Sequence, residues 1–191
     1  LASQFLIDGD TNHIANTIIN GSQKSNPDFG TVVTFKNGED TTSILCGFTI
    51  TGGTGLYSPA YNDVAGGGIL CLRSGAKIIH NYIENNVINS PTISYGGGIE
   101  QWSDIEGTWV VLLNNRIRYN ESNGNTGAQG GGAEIGGNAR IIGNEISWNT
   151  TSSSTGQCGG GGLFKSSLGL PEISELEIKN NRFRYNSVNC G

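Results

Sequence analysis

The sequence predicts an all-β fold: a single-stranded parallel β-helix of about six coils and three parallel sheets, filling all 191 residues as one domain. Three observations predict it. Glycine runs recur at Gly66-Gly67-Gly68-Ile69, Gly96-Gly97-Gly98-Ile99, Gly130-Gly131-Gly132-Ala133 and Gly160-Gly161-Gly162-Leu163, spaced 30, 34 and 30 residues apart. An Asn-x-(Ile/Phe)-x-x-Asn phrase answers each run, opening at Asn81, Asn115, Asn144 and Asn181 and closing at Asn86, Asn120, Asn149 and Asn186. No repeat holds a helical apolar period of useful length. Self-similarity at this period marks a solenoid, whose repeats bury their apolar faces only against their neighbours. With no helices to cover a flat sheet, short strands at this spacing wind into a coil whose rungs stack about 4.8 Å apart.

From the N-terminus, Phe5-Leu6-Ile7 and Thr17-Ile18-Ile19 read as short strands, each followed by a turn, Asp8-Gly9 and Asn20-Gly21. Residues 1–30 are then an N-terminal coil and a polar loop containing Pro27. Residues 31–53 form a degenerate repeat, aligned by matching Leu45 with Ile78 and Ile50 with Ile83. The clear repeats are 66–86, 96–120, 130–149 and 160–186. Each has three strand-like pieces: one after the glycine run, one ending near the first Asn, and one between the two Asn residues. The intervening pieces, 54–65, 87–95, 121–129 and 150–159, vary at one corner and read as binding loops.

Register supports the coil. Ile78, Leu112, Ile141 and Ile178 stand three residues before the first Asn, and Ile83, Ile117, Ile146 and Phe183 two after it, giving two inward ladders. The ladder Asn residues, Asn81, Asn115, Asn144 and Asn181, fit a left-handed bend and hydrogen bonding from coil to coil. Tyr119, Trp148 and Tyr185 recur one place before the closing Asn and are expected to stack. Arg116, Glu145 and Arg182 form an outward column of alternating sign. Cys46, Ile79, Leu113 and Ile142 nominally point outward as an apolar stripe needing a cover.

Composition narrows function. Charged residues are 14% and the net charge is −5, which leaves no basic footprint for nucleic acid. No apolar run approaches a membrane span. The absence of Met and the start at Leu1 read as trimming from a longer precursor. The glycine runs, together with Ile83-Glu84-Asn85-Asn86 and Phe183-Arg184-Tyr185-Asn186, resemble right-handed parallel β-helix repeat proteins. The likeness extends over about residues 5–190. They resemble in particular the GGA-I and F-x-x-N repeats of polymorphic outer-membrane proteins, within the pectate-lyase-like superfamily. The resemblance implies a right-handed coil and a secreted or surface-displayed location. It does not specify an activity, because the superfamily holds lyases, hydrolases, adhesins and passive stalks.

Among candidate sites, Glu100 and Glu134 follow the apolar residue of their glycine motifs, so they are expected as outward neighbours on the first sheet. With Trp102 and Phe164 to stack on sugar rings, two carboxylates about 5 Å apart would suit a retaining glycosidase. Repetition alone also produces that pair, and the Gly-His-Gly and Asp-Asp patterns of polygalacturonases are missing. Asp8, Asp10 and Asn12 have the oxygen spacing of the start of a calcium loop, but His13 replaces its glycine and Ile19 its glutamate, which favours an ordinary turn. Cys158 and Cys190 lie at one corner a coil apart, fit for a disulfide. Cys46 and Cys71 either face each other across the core or are buried thiols. Asn20, Asn120 and Asn149 begin glycosylation sequons.

The ends read as bare, with no amphipathic helix at Leu1 and no cap after the last coil. The expected function is therefore a non-catalytic, extracellular or cell-surface structural or adhesive unit, assembling with itself end to end into a fibre or joined to flanking segments of a longer surface protein. No cofactor is implied. The alternative is a polysaccharide lyase, glycoside hydrolase or carbohydrate-binding module, with polysaccharide as its partner.

Overall fold

The computed structural model describes residues 1–26, 28–60, 62–166 and 174–191; Pro27 of the polar loop lies outside them. The chain winds about five times through five sheets. Sheet 1 follows the glycine runs and stacks Val33–Phe35, Ile69–Leu72, Ile99–Trp102, Ala133–Ile135 and Leu163–Lys165. Sheet 2 holds Ile44–Cys46, Ala76–Ile79, Trp109–Leu113, Asn138–Ile142 and Leu176–Lys179. Sheet 3 holds Ile18–Asn20, Thr49–Thr51, Tyr82–Glu84, Arg116–Arg118, Glu145–Ser147 and Arg182–Arg184. These are the three expected sheets.

Two further sheets replace the expected corner loops. Sheet 4 stacks Val87–Ser90, Glu121–Gly124, Thr150–Ser153 and Ser187–Cys190; sheet 5 runs from Phe29–Gly30 and Gly55–Ser58 through Asp63–Ala65, Ile93–Tyr95 and Gly127–Gln129 to Gln157–Gly159. Sheet 5 starts antiparallel and is parallel from Asp63–Ala65 onward. The two sheets face each other across a thin second core in which Ile88, Ser90, Ser94, Ser122, Ala128, Thr151 and Ser153 are buried. The Ser122 hydroxyl donates to Ser94 across it at 2.8 Å. Small hydroxyl residues let two sheets approach closely while satisfying each other's polar groups. That composition also looks like loop sequence.

The main core is the expected file of apolar rungs. Ile50, Ile83, Ile117, Ile146 and Phe183 are consecutive register partners, as are Leu45, Ile78, Leu112, Ile141 and Ile178. From Ile50 to Ile146 and from Ile78 to Ile141 every rung has no exposed surface. At 20–33 cal/mol per Å² of apolar area, this file dominates stability.

Two asparagine columns run along the bends. The Asn81 amide N–H donates to Asn115 Oδ1 at 2.9 Å, Asn115 to Asn144 at 2.8 Å and Asn144 to Asn181 at 2.8 Å. Each Nδ2 also donates to a carbonyl of the coil before, as Asn115 does to Ile78 at 2.7 Å. Asn86, Asn120, Asn149 and Asn186 repeat this at the next bend. The left-handed conformation falls one residue earlier than expected, on His80, Asn114, Gly143 and Asn180 and on Asn85, Tyr119, Trp148 and Tyr185. The ladder Asn is held instead by its buried amide, and the bend is displaced onto its neighbour. The aromatics stack, with centroids 6.3 Å apart for Tyr119–Trp148 and 4.2 Å for Trp148–Tyr185. Gly96 turns the chain at φ +63°, and at Gly97 a Cβ would lie 2.5 Å from the Gly131 carbonyl oxygen, so close coil contact fixes the glycine run.

The N-terminal end is closed, contrary to expectation. Phe5-Leu6-Ile7 lies in a helical turn, α1 (Phe5–Asp8), and not in a strand. A helix, α2 (Thr11–Asn16), follows and buries Ile14. The Thr49 hydroxyl donates to the Ile14 carbonyl at 2.8 Å. Ala2 bridges to Cys46, which covers the first rung of the predicted outward stripe; Ile79, Leu113 and Ile142 further along are half-buried. The first twenty residues thus give one strand of sheet 3 and a cap, not a sixth coil.

Candidate functional site

A concentration of buried titratable groups lies where sheet 5 turns into sheet 1, at the glycine run. A residue just before the run and a residue just after the motif's apolar position face each other across this corner. Gly159 shows the direction: a Cβ there would point at the Phe164 ring, 2.3 Å away. By register Gln129 and Tyr95 occupy the same place on the rungs behind Gly159, and Glu134 and Glu100 the same place behind Phe164.

Glu100 and Glu134 are direct partners on adjacent rungs, as their spacing predicts. They do not border an open groove. Only 4% of Glu100 and 2% of Glu134 is exposed, because sheet 5 folds over the corner. Burial drives both carboxyl groups well above the usual carboxylate range. The neighbouring Glu134 and Asp63 charges raise Glu100 further, whereas the Ser166 side chain and the Lys165 charge offset part of the rise at Glu134. Tyr95 is pushed up to about 12 by burial and by Asp63, Glu134 and Glu100. Lys165 is lowered by burial, and its ammonium donates to the Ser166 carbonyl at 2.7 Å. Three oxygens at the corner have no donor: Glu100 Oε2, Glu134 Oε2 and Gln129 Oε1.

The other candidates separate from this corner. Phe164 covers its C-terminal end against Gly159. Trp102 lies two places along the strand from Glu100, partly exposed, with the Arg73 guanidinium 5.6 Å from its ring; the four residues form no shared open surface. The Asp8 and Asp10 oxygens serve the cap, and Asn12 takes part through its backbone N–H. Asp8 Oδ1 accepts from the Asp10 amide and Asp10 Oδ1 from the Asn12 amide, each at 2.9 Å, and Asp8 Oδ2 meets His13 Nε2 at 3.0 Å. Cys158 and Cys190 form the expected disulfide, Cα atoms 6.1 Å apart, joining the last two coils. Cys46 and Cys71 are buried free thiols, and burial raises both. Asn120 and Asn149 are fully buried in the ladder, which leaves Asn20 as the exposed sequon. In the charge column, Arg116, Glu145 and Arg182 are register partners, but Glu84 takes the ion pairs, with Arg118 at 2.7 Å and Arg116 at 3.8 Å.

Residues 87–90, 121–125 and 150–154, expected as binding loops, carry a surface built on strands instead. A shallow polar recess of about 320 Å³ is lined by Asn89, Asn123, Asn125 and Ser152 on the outer face of sheet 4. Asn89, Asn123 and Ser152 align at one position of successive repeats, which is the signal the sequence offered.

Comparison of the chain with family models, with curated proteins and with solved structures finds no match. The parallel β-helix therefore rests on the coil geometry itself.

Proposed function

We propose that the chain is a non-catalytic structural or adhesive unit of an extracellular or cell-surface protein, built to stack end to end. The repeat itself carries this reading, because each coil presents an apolar, hydrogen-bonding edge that the next stacked coil covers. Ile178, Phe183 and Val188, which occupy core-facing positions, are 46%, 46% and 49% exposed on the last coil, beside a recess of about 480 Å³ lined by Leu163, Phe183 and Tyr185. Such an edge, with unpaired backbone groups and open core, is completed by further stacked structure. The cap at the opposite end presents Leu6 and Ile7, 65% and 84% exposed, in a segment that also carries Asp8 and Asp10. Arg182 and Arg184 flank the open coil, so a head-to-tail contact joins apolar to apolar and basic to acidic. A contact of this heterologous kind grows into a fibre.

The resemblance to right-handed, pectate-lyase-like β-helix proteins of the polymorphic outer-membrane type supports a surface location, and the Cys158–Cys190 disulfide suits an oxidising compartment. Light scattering and electron microscopy over a concentration series test the assembly. Growth that Phe183→Asp abolishes supports it; a strictly monomeric protein at high concentration contradicts it.

The sheet 4 recess favours a second reading, a carbohydrate-binding module, because rows of amides and hydroxyls match the hydroxyls of a glycan. A screen against polyuronates and neutral glycans separates the two readings. Binding weakened by Asn123→Ala supports the module. Cleavage lost in Glu100→Gln or Glu134→Gln would make the protein an enzyme despite the burial of both residues.

A further inference from the structure

We propose that Glu100, Glu134 and Gln129 form a binding site for a hard divalent cation of calcium size, clamped between two adjacent coils where sheet 5 meets sheet 1. Glu100 Oε2, Glu134 Oε2 and Gln129 Oε1 are all buried and receive no hydrogen bond. Buried acceptors are almost always satisfied, and leaving one bare costs free energy. Here three face a single corner, and the nearest cation, the Lys165 ammonium, is engaged by the Ser166 carbonyl.

The donor set is all oxygen: two carboxylates and an amide, with the Tyr95 and Ser166 hydroxyls alongside. That chemistry selects a hard cation over zinc or copper. Size narrows the choice. Rungs stack about 4.7–4.9 Å apart. Two oxygens on opposite sides of a calcium ion lie about 4.6–5.2 Å apart, because each bond is roughly 2.3–2.6 Å. Carboxylates on adjacent rungs can thus grip calcium without moving the backbone. Magnesium, with bonds of about 2.0–2.1 Å and strict octahedral demands, would pull the rungs together. Among the described residues no three His, Cys, Asp or Glu side chains converge on a metal position. This site has two anionic ligands and completes its shell with neutral oxygens and water.

The charged and titratable groups around the corner are Cys71, Glu100, Glu134 and Lys165 from sheet 1 and Asp63 and Tyr95 from sheet 5.

The test uses the full chain freed of metal by a chelator, with calcium chloride as the only added ligand. At pH 8 and calcium a hundredfold above its dissociation constant, the melting temperature rises by roughly 5–10 °C. Terbium bound at the site luminesces on excitation of Tyr95, and calcium quenches the signal. Glu100→Gln and Glu134→Gln, each isosteric with the protonated acid, stay folded and lose both responses. Asp8→Asn combined with Asp10→Asn keeps both, which separates this site from the N-terminal turn. A melting temperature indifferent to calcium at pH 8, a calcium shift that survives both Gln variants, or one abolished by the Asp8/Asp10 pair overturns the proposal.

Discussion

The interior coils and the last coil are built from the same repeat yet differ in what the repeat achieves. At Ile117 the apolar rung has neighbours on both sides and no exposed surface; at Phe183, two rungs later in the same file, 46% is exposed. At Asn115 the side chain both donates to and accepts from flanking coils, whereas Asn181 accepts from Asn144 and donates only backward, to Ile141. A solenoid repeat is thus half a structure, and its worth depends on what lies above it. The two ends handle this differently. The first coil is closed by Ile14 of α2 and by residues 1–3 along sheet 2, and the last is held by the Cys158–Cys190 disulfide.

The largest expected effect is on the apolar file. Ile117→Ala should cost about 4 kcal/mol in chemical denaturation, and Phe183→Ala only about 1 kcal/mol; equal costs would mean the last rung is covered in solution. Cys190→Ser should cost about 3 kcal/mol, given the 32-residue separation of the bridged cysteines. Its loss should appear in limited proteolysis as early cleavage within 174–191, with the interior coils still resistant. Asn115→Ala should cost about 2–3 kcal/mol, because it orphans the Asn81 amide and the Ile78 carbonyl, against about 1 kcal/mol for Asn181→Ala. At the closed end, Ile14→Ala should cost about 2 kcal/mol and speed amide exchange in Thr49–Thr51.

The main coil was legible because its signals are periodic and large. Glycines at close coil contacts, buried Asn amides and apolar rungs recur with little variation, so Leu45 could be matched to Ile78 and Ile50 to Ile83, as the registers have it. Sheets 4 and 5 were not legible. Their inner positions, such as Ser94, Ser122 and Thr151, are filled by hydroxyl residues that alone read as loop, and only pairing between coils makes them strands. The acidic corner follows from that omission. The adjacency of Glu100 and Glu134 was readable from the repeat, but their burial depends on Tyr95 and Gln129, carried by a sheet the sequence did not announce. The N-terminal cap carries a signal that the calcium-loop reading of Asp8, Asp10 and Asn12 passed over: Asp10 ahead of Thr11-Asn12-His13-Ile14 is a helix N-cap. The adjoining apolar triplet Phe5-Leu6-Ile7 suggested a strand instead.

Hydrogen exchange followed residue by residue tests the central claim most directly, since stacking makes protection depend on having a coil on either side. The account predicts slowest exchange, near the global unfolding limit, for the amides of Tyr82–Glu84, Arg116–Arg118 and Glu145–Ser147, and markedly faster exchange for Arg182–Arg184 and Ser187–Cys190. Equal protection across all five strands in a monomer, or faster exchange at Arg116–Arg118 than at Arg182–Arg184, would contradict it.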